Sequence, residues 1–221
     1  MQFLSDGVAE DFIASIATSG FEHITKLPLC QIPEAIRKND PNLKNEPLYE
    51  IKSDSNENYK VMLGDHVIGL AITNRYTSWS ESFYPQIEEL FSVILKDQKF
   101  NDIHRIGLRY IDFFEKQDIF QHSKIKVSIG GDKNSNPKKM LLSVEDVLDE
   151  VNYRRTIVND TEYSNFTNKG FIVDIITSIE HCNLNKQDLK PIFNQINNLH
   201  TVNKTIFKEV ISDKYIKQYQ L

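Results

Sequence analysis

From Tyr59 to Thr73 the chain carries two strand patterns separated by Gly64-Asp65, and the second alternates cleanly, with Ile68, Leu70 and Ile72 on one face and Val67, Gly69 and Ala71 on the other. The period then changes. Apolar residues recur at Trp79, Phe83, Ile87, Leu90, Phe91, Ile94 and Leu95, which makes one stripe on a helix of several turns. Ser78 with Glu81 forms a capping-box pattern at its start. Pro85 removes a backbone donor, so either the helix kinks there or its first turn is separate and the long helix starts near Ser82.

Ile103 to Phe114 returns to alternation, with Ile106, Leu108 and Tyr110 facing one way and Arg105, Gly107 and Arg109 the other. Lys124 to Ile129 reads as a further strand that ends in the turn signal Gly130-Gly131-Asp132. Met140 to Val158 stays open: Val144, Val147, Leu148 and Val151 fit a helix, whereas Val151, Tyr153, Arg155 and Ile157 alternate, so a strand or short helix followed by a strand is expected. Phe171 to Ile179 is a β-branched strand. Leu184 to Ile211 has helical spacing, with Pro191 in its first turn, where proline is tolerated.

Upstream, Ser5-Asp6 before Val8, Phe12, Ile13, Ile16 and Ala17 predicts a capped helix closed by Gly20. Lys26 to Asn58 is largely irregular, with a short helix near Pro33 to Lys38 and a strand near Leu48 to Ile51; no pattern in residues 1–30 places a strand there, and its presence stays open. The pattern therefore predicts one α+β domain over residues 1–221, built on a mainly antiparallel sheet with two long helices packed on it. Residues 1–58 form an irregular part with the extra N-terminal helix. Residues 59–120 and 121–221 form two similar strand-helix halves.

Charge narrows the functional classes. With 26 basic and 31 acidic residues the net charge of −5 argues against a protein that coats nucleic acid by bulk charge. Cys30 and Cys182 lie far apart, without a disulfide framework or a Cys-x-x-Cys motif, which favours a reducing cytoplasm. No apolar run is long enough for a membrane span and no leader pattern opens the chain. Glycosylation sequons occur at Asn159, Asn165 and Asn203, as an Asn-rich chain generates by chance.

Enzyme signatures are missing too: no Walker loop, no dinucleotide-binding glycine fingerprint, no His-Glu-x-x-His and no Gly-x-Ser-x-Gly. No cofactor is implied. The six histidines show no metal-ligand spacing, and His181-Cys182 is a lone neighbour pair.

The opening Tyr76-Thr-Ser-Trp-Ser-Glu-Ser-Phe83 and the closing Arg105-Ile-Gly-Leu-Arg-Tyr-Ile111 resemble a sporadically distributed family of bacterial proteins to which no agreed activity attaches. Val173-Asp174, Leu199-His200 and Phe207 match the family's C-terminal third, and the likeness runs over roughly residues 60–215. The resemblance implies a bacterial origin and this architecture. Its patchy distribution implies mobile genes, as in toxin-antitoxin or phage-defence settings.

Several residues are candidates for binding. Arg105 and Arg109 flank Gly107 on one strand face, about 13 Å apart at Cα, where two forked donors could clamp a phosphate or carboxylate, or else pair with acids on neighbouring elements. Tyr76 and Trp79 could stack on a base or a partner side chain, or anchor the helix to the sheet. Lys124, Lys126, Lys133, Lys138 and Lys139 form a lysine-rich hairpin that could meet a phosphate backbone or simply protect a sheet edge. Asp174 on an apolar strand requires a partner, with an arginine such as Arg109 the first choice. Gly107, Tyr110 and His200 complete the set as supporting positions.

Three readings follow. The first is a non-catalytic interaction or regulatory module that binds another protein. The second is a nucleic-acid or nucleotide binder, extending to a nuclease-like enzyme, that uses Arg105, Arg109 and the Lys124–Lys139 hairpin. The third is a small-molecule site lined by Phe83, Phe91 and Tyr110.

Overall fold

A computed structural model describes residues 2–4, 21–53, 58–72, 78–94, 103–127, 137–163, 166–184 and 189–219. The expected helix at Ser5–Gly20, Tyr76 and the Gly130-Gly131 turn lie outside them. The fold is α+β, as the hydrophobic pattern requires. Its contacts divide it into two compact units, residues 1–106 with 180–193 and residues 107–179 with 194–221. This partition differs from the expected halves at 59–120 and 121–221.

The first unit contains β1 (Gln2–Leu4), β2 (Phe21–Lys26), β3 (Tyr49–Ser53), β4 (Tyr59–Leu63) and β5 (Val67–Ile72), in the order β2-β3-β4-β5-β1 with antiparallel neighbours. Two strands thus occupy residues 1–30, where the pattern alone placed none and left the matter open. β1 is only three residues long, too short for a period to emerge, and its ladder with β5 supplies the order its own pattern lacks. Ile51, Val61, Leu63, Ile68 and Leu70 are buried in the core.

A short helix, α1 (Glu34–Asn39), is clipped to this unit by Arg37, whose guanidinium donates to Asp65 Oδ2 at 3.1 Å and to the Ile32 carbonyl at 2.6 Å. The proline conflict after Trp79 is resolved by a change of helix type. Trp79–Phe83 forms a π-helical turn, and α2 (Tyr84–Ile94) begins directly before Pro85. Ser78 Oγ accepts the Glu81 amide at 3.0 Å, the first half of the expected capping box. The reciprocal half is taken by Ser82, whose Oγ accepts the Ser78 amide at 3.2 Å.

The second unit has the strand order β6-β9-β8-β7, from β6 (Ile103–Glu115), β7 (Met140–Leu148), β8 (Val151–Thr161) and β9 (Gly170–Leu184). Its helices are the single turn α3 (Ile119–His122), α4 (Leu189–Val210) and α5 (Asp213–Tyr219). β6, β9 and α4 each contribute residues to both units. Leu108, Phe171, Val173, Ile175, Ile196, Leu199 and Ile206 are buried.

The open segment from Met140 to Val158 is a hairpin without a helix. β7 and β8 pair in continuous register from Met140↔Asn159 to Leu148↔Val151, and Asp149 and Glu150 both take left-handed φ, 49° and 63°. That is the two-residue turn whose twist suits a hairpin, here built without glycine. Gly170 has no such freedom to lose a contact, because a Cβ there would strike the Phe114 carbonyl oxygen.

The expected strand from Lys124 is not formed over residues 124–127. Instead the Lys124 amide donates to the Val210 carbonyl at 2.8 Å and Ser123 bridges Ile211, so this backbone is committed to the end of α4. Two sequon asparagines are also committed. Asn159 accepts the Ile119 amide at 3.2 Å and donates to the Lys138 carbonyl at 3.2 Å, and Asn203 donates to the Ile175 carbonyl at 3.2 Å. Both are buried, which removes them as glycosylation acceptors in the folded chain.

Candidate functional site

β6 is long enough to carry two chemically different surfaces, because successive side chains alternate between faces. One face bears Tyr110, Asp112 and Phe114. Tyr110 Oη lies 3.1 Å from His200 Nδ1 on α4, and Phe114 stacks on Phe171 with ring centroids 4.4 Å apart. Thr177 Oγ1 lies 3.4 Å from the carbonyls of Leu108 and Leu199, which ties β9 to both β6 and α4. This is the helix-covered face.

Asp112 sits on the same side as Tyr110 and Phe114, and among the described residues no hydrogen bond or ion pair reaches it. Burial pushes its carboxyl up to about 6. His200 moves the opposite way, held down to about 4 by burial and by the neighbouring Lys204 charge. A phenol, a neutral imidazole and an isolated carboxyl therefore share this unit. Tyr110 and His200 were expected as supporting positions; Asp112 was not, although the two-residue step from Tyr110 already placed it on their face.

The other face of β6 bears Arg109, Ile111 and Phe113. Arg109 donates to both carboxylate oxygens of Asp174, Nε to Oδ1 at 2.9 Å and Nη2 to Oδ2 at 2.7 Å, the fork-to-fork geometry of a strong charge-assisted pair. Asp174 is thus satisfied by the arginine that its position on an apolar strand called for. Arg109 remains about half exposed, and Nη1 has no hydrogen-bond partner among the described residues.

Beside it three rings converge: Phe113 lies 4.7 Å from Phe166 and 5.6 Å from Tyr163 between centroids. Phe166 is 48% exposed and Ile111 38%, so this cluster continues to the surface. Sequence reasoning missed it because Tyr163 and Phe166 follow β8 in a connection without periodicity. Only Phe113, two steps beyond Ile111, carried a signal.

The remaining candidates disperse. Arg105 belongs to the first unit and pairs with Glu180, Nε to Oε1 at 3.4 Å, so both arginines take an acid on a neighbouring element, the alternative to a shared clamp. Gly107 is buried between them in sequence. Trp79 packs against Phe83 and Tyr84 of its own helical segment, each at 5.7 Å between centroids. Phe83 and Phe91 are core residues of the first unit, and Tyr110 belongs to the second.

Of the expected hairpin only residues 124–127 and 137–139 are described. Lys124 Nζ is held at 2.7 Å by Asp213 and at 2.9 Å by the Lys208 carbonyl, Lys126 is exposed, and Lys138 and Lys139 are exposed where the chain enters β7. Lys133 lies outside the described residues. Among the described residues no group of three or more His, Cys, Asp or Glu side chains is arranged to hold a metal ion, and no helix is long and apolar enough to cross a membrane. No family model, no curated protein and no solved structure matches this chain.

Proposed function

We propose that the chain is a non-catalytic interaction module that docks another protein on the β6 face bearing Arg109, Ile111 and Phe113. The observation that carries this reading is the ring cluster of Phe113, Tyr163 and Phe166, which reaches solvent through Phe166 beside an arginine already oriented by Asp174. Aromatic anchors with one pre-positioned arginine are the residue types that concentrate binding energy at protein interfaces. The partner implied presents an apolar side chain to the rings and an oxygen acceptor to Arg109 Nη1.

The test compares co-purification from native lysate using the unaltered chain and the Phe166→Ser, Ile111→Lys and Arg109→Ala variants. One stable partner lost with all three, at unchanged melting temperature for Phe166→Ser, supports the reading, and a loss of tenfold or more in affinity is expected for Phe166→Ser. A chain that retains no stable protein partner overturns it.

The nucleic-acid reading keeps one favourable observation: arginine beside aromatic rings on a sheet face is also how single-stranded bases are stacked. Against it stand the acid facing each of Arg105, Arg109 and Arg154, and the net charge of −5. Labelled RNA and DNA titrated at low and moderate salt separate the two. Binding that survives moderate salt and disappears in Phe166→Ser favours nucleic acid.

A further inference from the structure

The sheet of the second unit ends on β7, and among the described residues no strand pairs with the outer edge of β7. Nine residues, Met140–Leu148, run along it without a bulge, a proline or a lysine, and Glu145 and Asp146 are the only charges it carries. The two-residue turn at Asp149-Glu150 sets which backbone groups are open. Leu148 and Val151 close the hairpin as a hydrogen-bonded pair, so alternate β7 residues back from Leu148 spend their amides and carbonyls on β8. Leu141, Ser143, Glu145 and Val147 turn theirs outward. The Val147 amide shows the consequence, since it is taken up locally by Asp146 Oδ1 at 2.8 Å.

The side chains along this edge are placed symmetrically about Val144. Leu141 and Val147, three residues to either side, are 72% and 58% exposed, the two most exposed large apolar residues of the described chain. We propose that β7 pairs antiparallel with β7 of a second copy of this chain, on a two-fold axis through Val144. In that register Leu141 of each copy lies opposite Val147 of the other, Ser143 opposite Glu145, and Leu142 opposite Asp146. Only Leu141, Ser143, Glu145 and Val147 exchange main-chain bonds, so no ladder bond between β7 and β8 is broken, and the Val147 amide exchanges its local bond to Asp146 for one to the second copy.

No like charges fall directly opposite one another. The two Glu145 carboxylates meet only diagonally, and each has Arg154 of its own hairpin at 3.7 Å. Both most exposed apolar side chains are covered by one symmetric contact, which a second copy of the same edge supplies at both ends at once. The contact is distinct from the docking face around Phe113 and does not depend on it.

Sedimentation equilibrium over a concentration series tests the pairing. The unaltered chain is expected to show a reversible dimer. Leu141→Lys combined with Val147→Lys sets lysine opposite lysine twice and should lower the association constant at least tenfold. Leu141→Lys combined with Val147→Glu sets lysine opposite glutamate in the same positions and should restore it. Both changes fall on exposed side chains, so thermal melting should stay within a few degrees of the unaltered chain. A monomer throughout the series overturns the proposal, as does a dimer indifferent to the paired lysines, or a monomer that binds only a strand from another protein.

Discussion

Asp112 and His200 oppose each other in their dependence on pH. His200 has an ordinary value of 6.5 and titrates near 4 when folded, so between those limits the unfolded chain takes up a proton that the folded chain refuses, and stability falls as pH drops. Asp112 has an ordinary value of 3.8 and titrates near 6 when folded, so the folded chain holds the extra proton, and stability falls as pH rises through that window. The two slopes largely cancel between pH 4 and 6. Asp112→Asn should expose the histidine slope, with stability rising from pH 4 to 6.5, and should stabilise the chain at pH 7.5 by about 2–3 kcal/mol, the worth of roughly two pKa units. His200→Gln should expose the opposite slope. Urea midpoints at successive pH values check both, and curves parallel to the unaltered chain would sink the argument. Individual residues were legible in the sequence where chemistry demanded a partner, as with Asp174. Asp112 was not, because its isolation depends on what α4 and β9 leave uncovered by polar groups, a property that exists only after packing.

At the scale of elements, long periodic segments were readable and short or turn-dependent ones were not. The stripe from Phe83 to Phe91 and that from Leu189 to Val210 each repeat over several turns, so one misplaced residue cannot hide the period. β1 offers three residues, and β7 mixes Val144, Val147 and Leu148 at helical spacing with strand alternation. What decides β7 is the turn after it, where Asp149 and Glu150 carry left-handed φ despite their side chains. Asp149→Asn with Glu150→Gly supplies residues that favour that conformation and should stabilise the chain by about 1 kcal/mol. A lowered midpoint would show that the turn has another conformation. At the other end of the molecule's chemistry, Ser78→Ala removes the acceptor for the Glu81 amide and should cost about 1 kcal/mol, as loss of a helix cap does. The Lys124 segment differs over residues 124–127 for a related reason: its alternating pattern suits a strand, but the Lys124 amide is taken by the Val210 carbonyl and no strand among the described residues pairs with it.

For the whole molecule, the sharing of β6, β9 and α4 between two compact units has a thermodynamic corollary. A unit that keeps its fold would hold half of each shared element in place, so the units should unfold together. Trp79, the one tryptophan, reports on the first unit, and hydrogen exchange of β8 amides reports on the second. The two probes should give coincident transitions in urea, and separated midpoints would show the units to be independent. The same interleaving sets a timetable for synthesis. The first unit is built from residues 1–106 and 180–193, so its earlier part must wait for the 73 residues from 107 to 179 before its last pieces emerge. At roughly 5–20 residues per second that delay is on the order of 4–15 s. The first hundred residues are therefore expected to reach their full set of contacts only after residues 180–193 have left the ribosome.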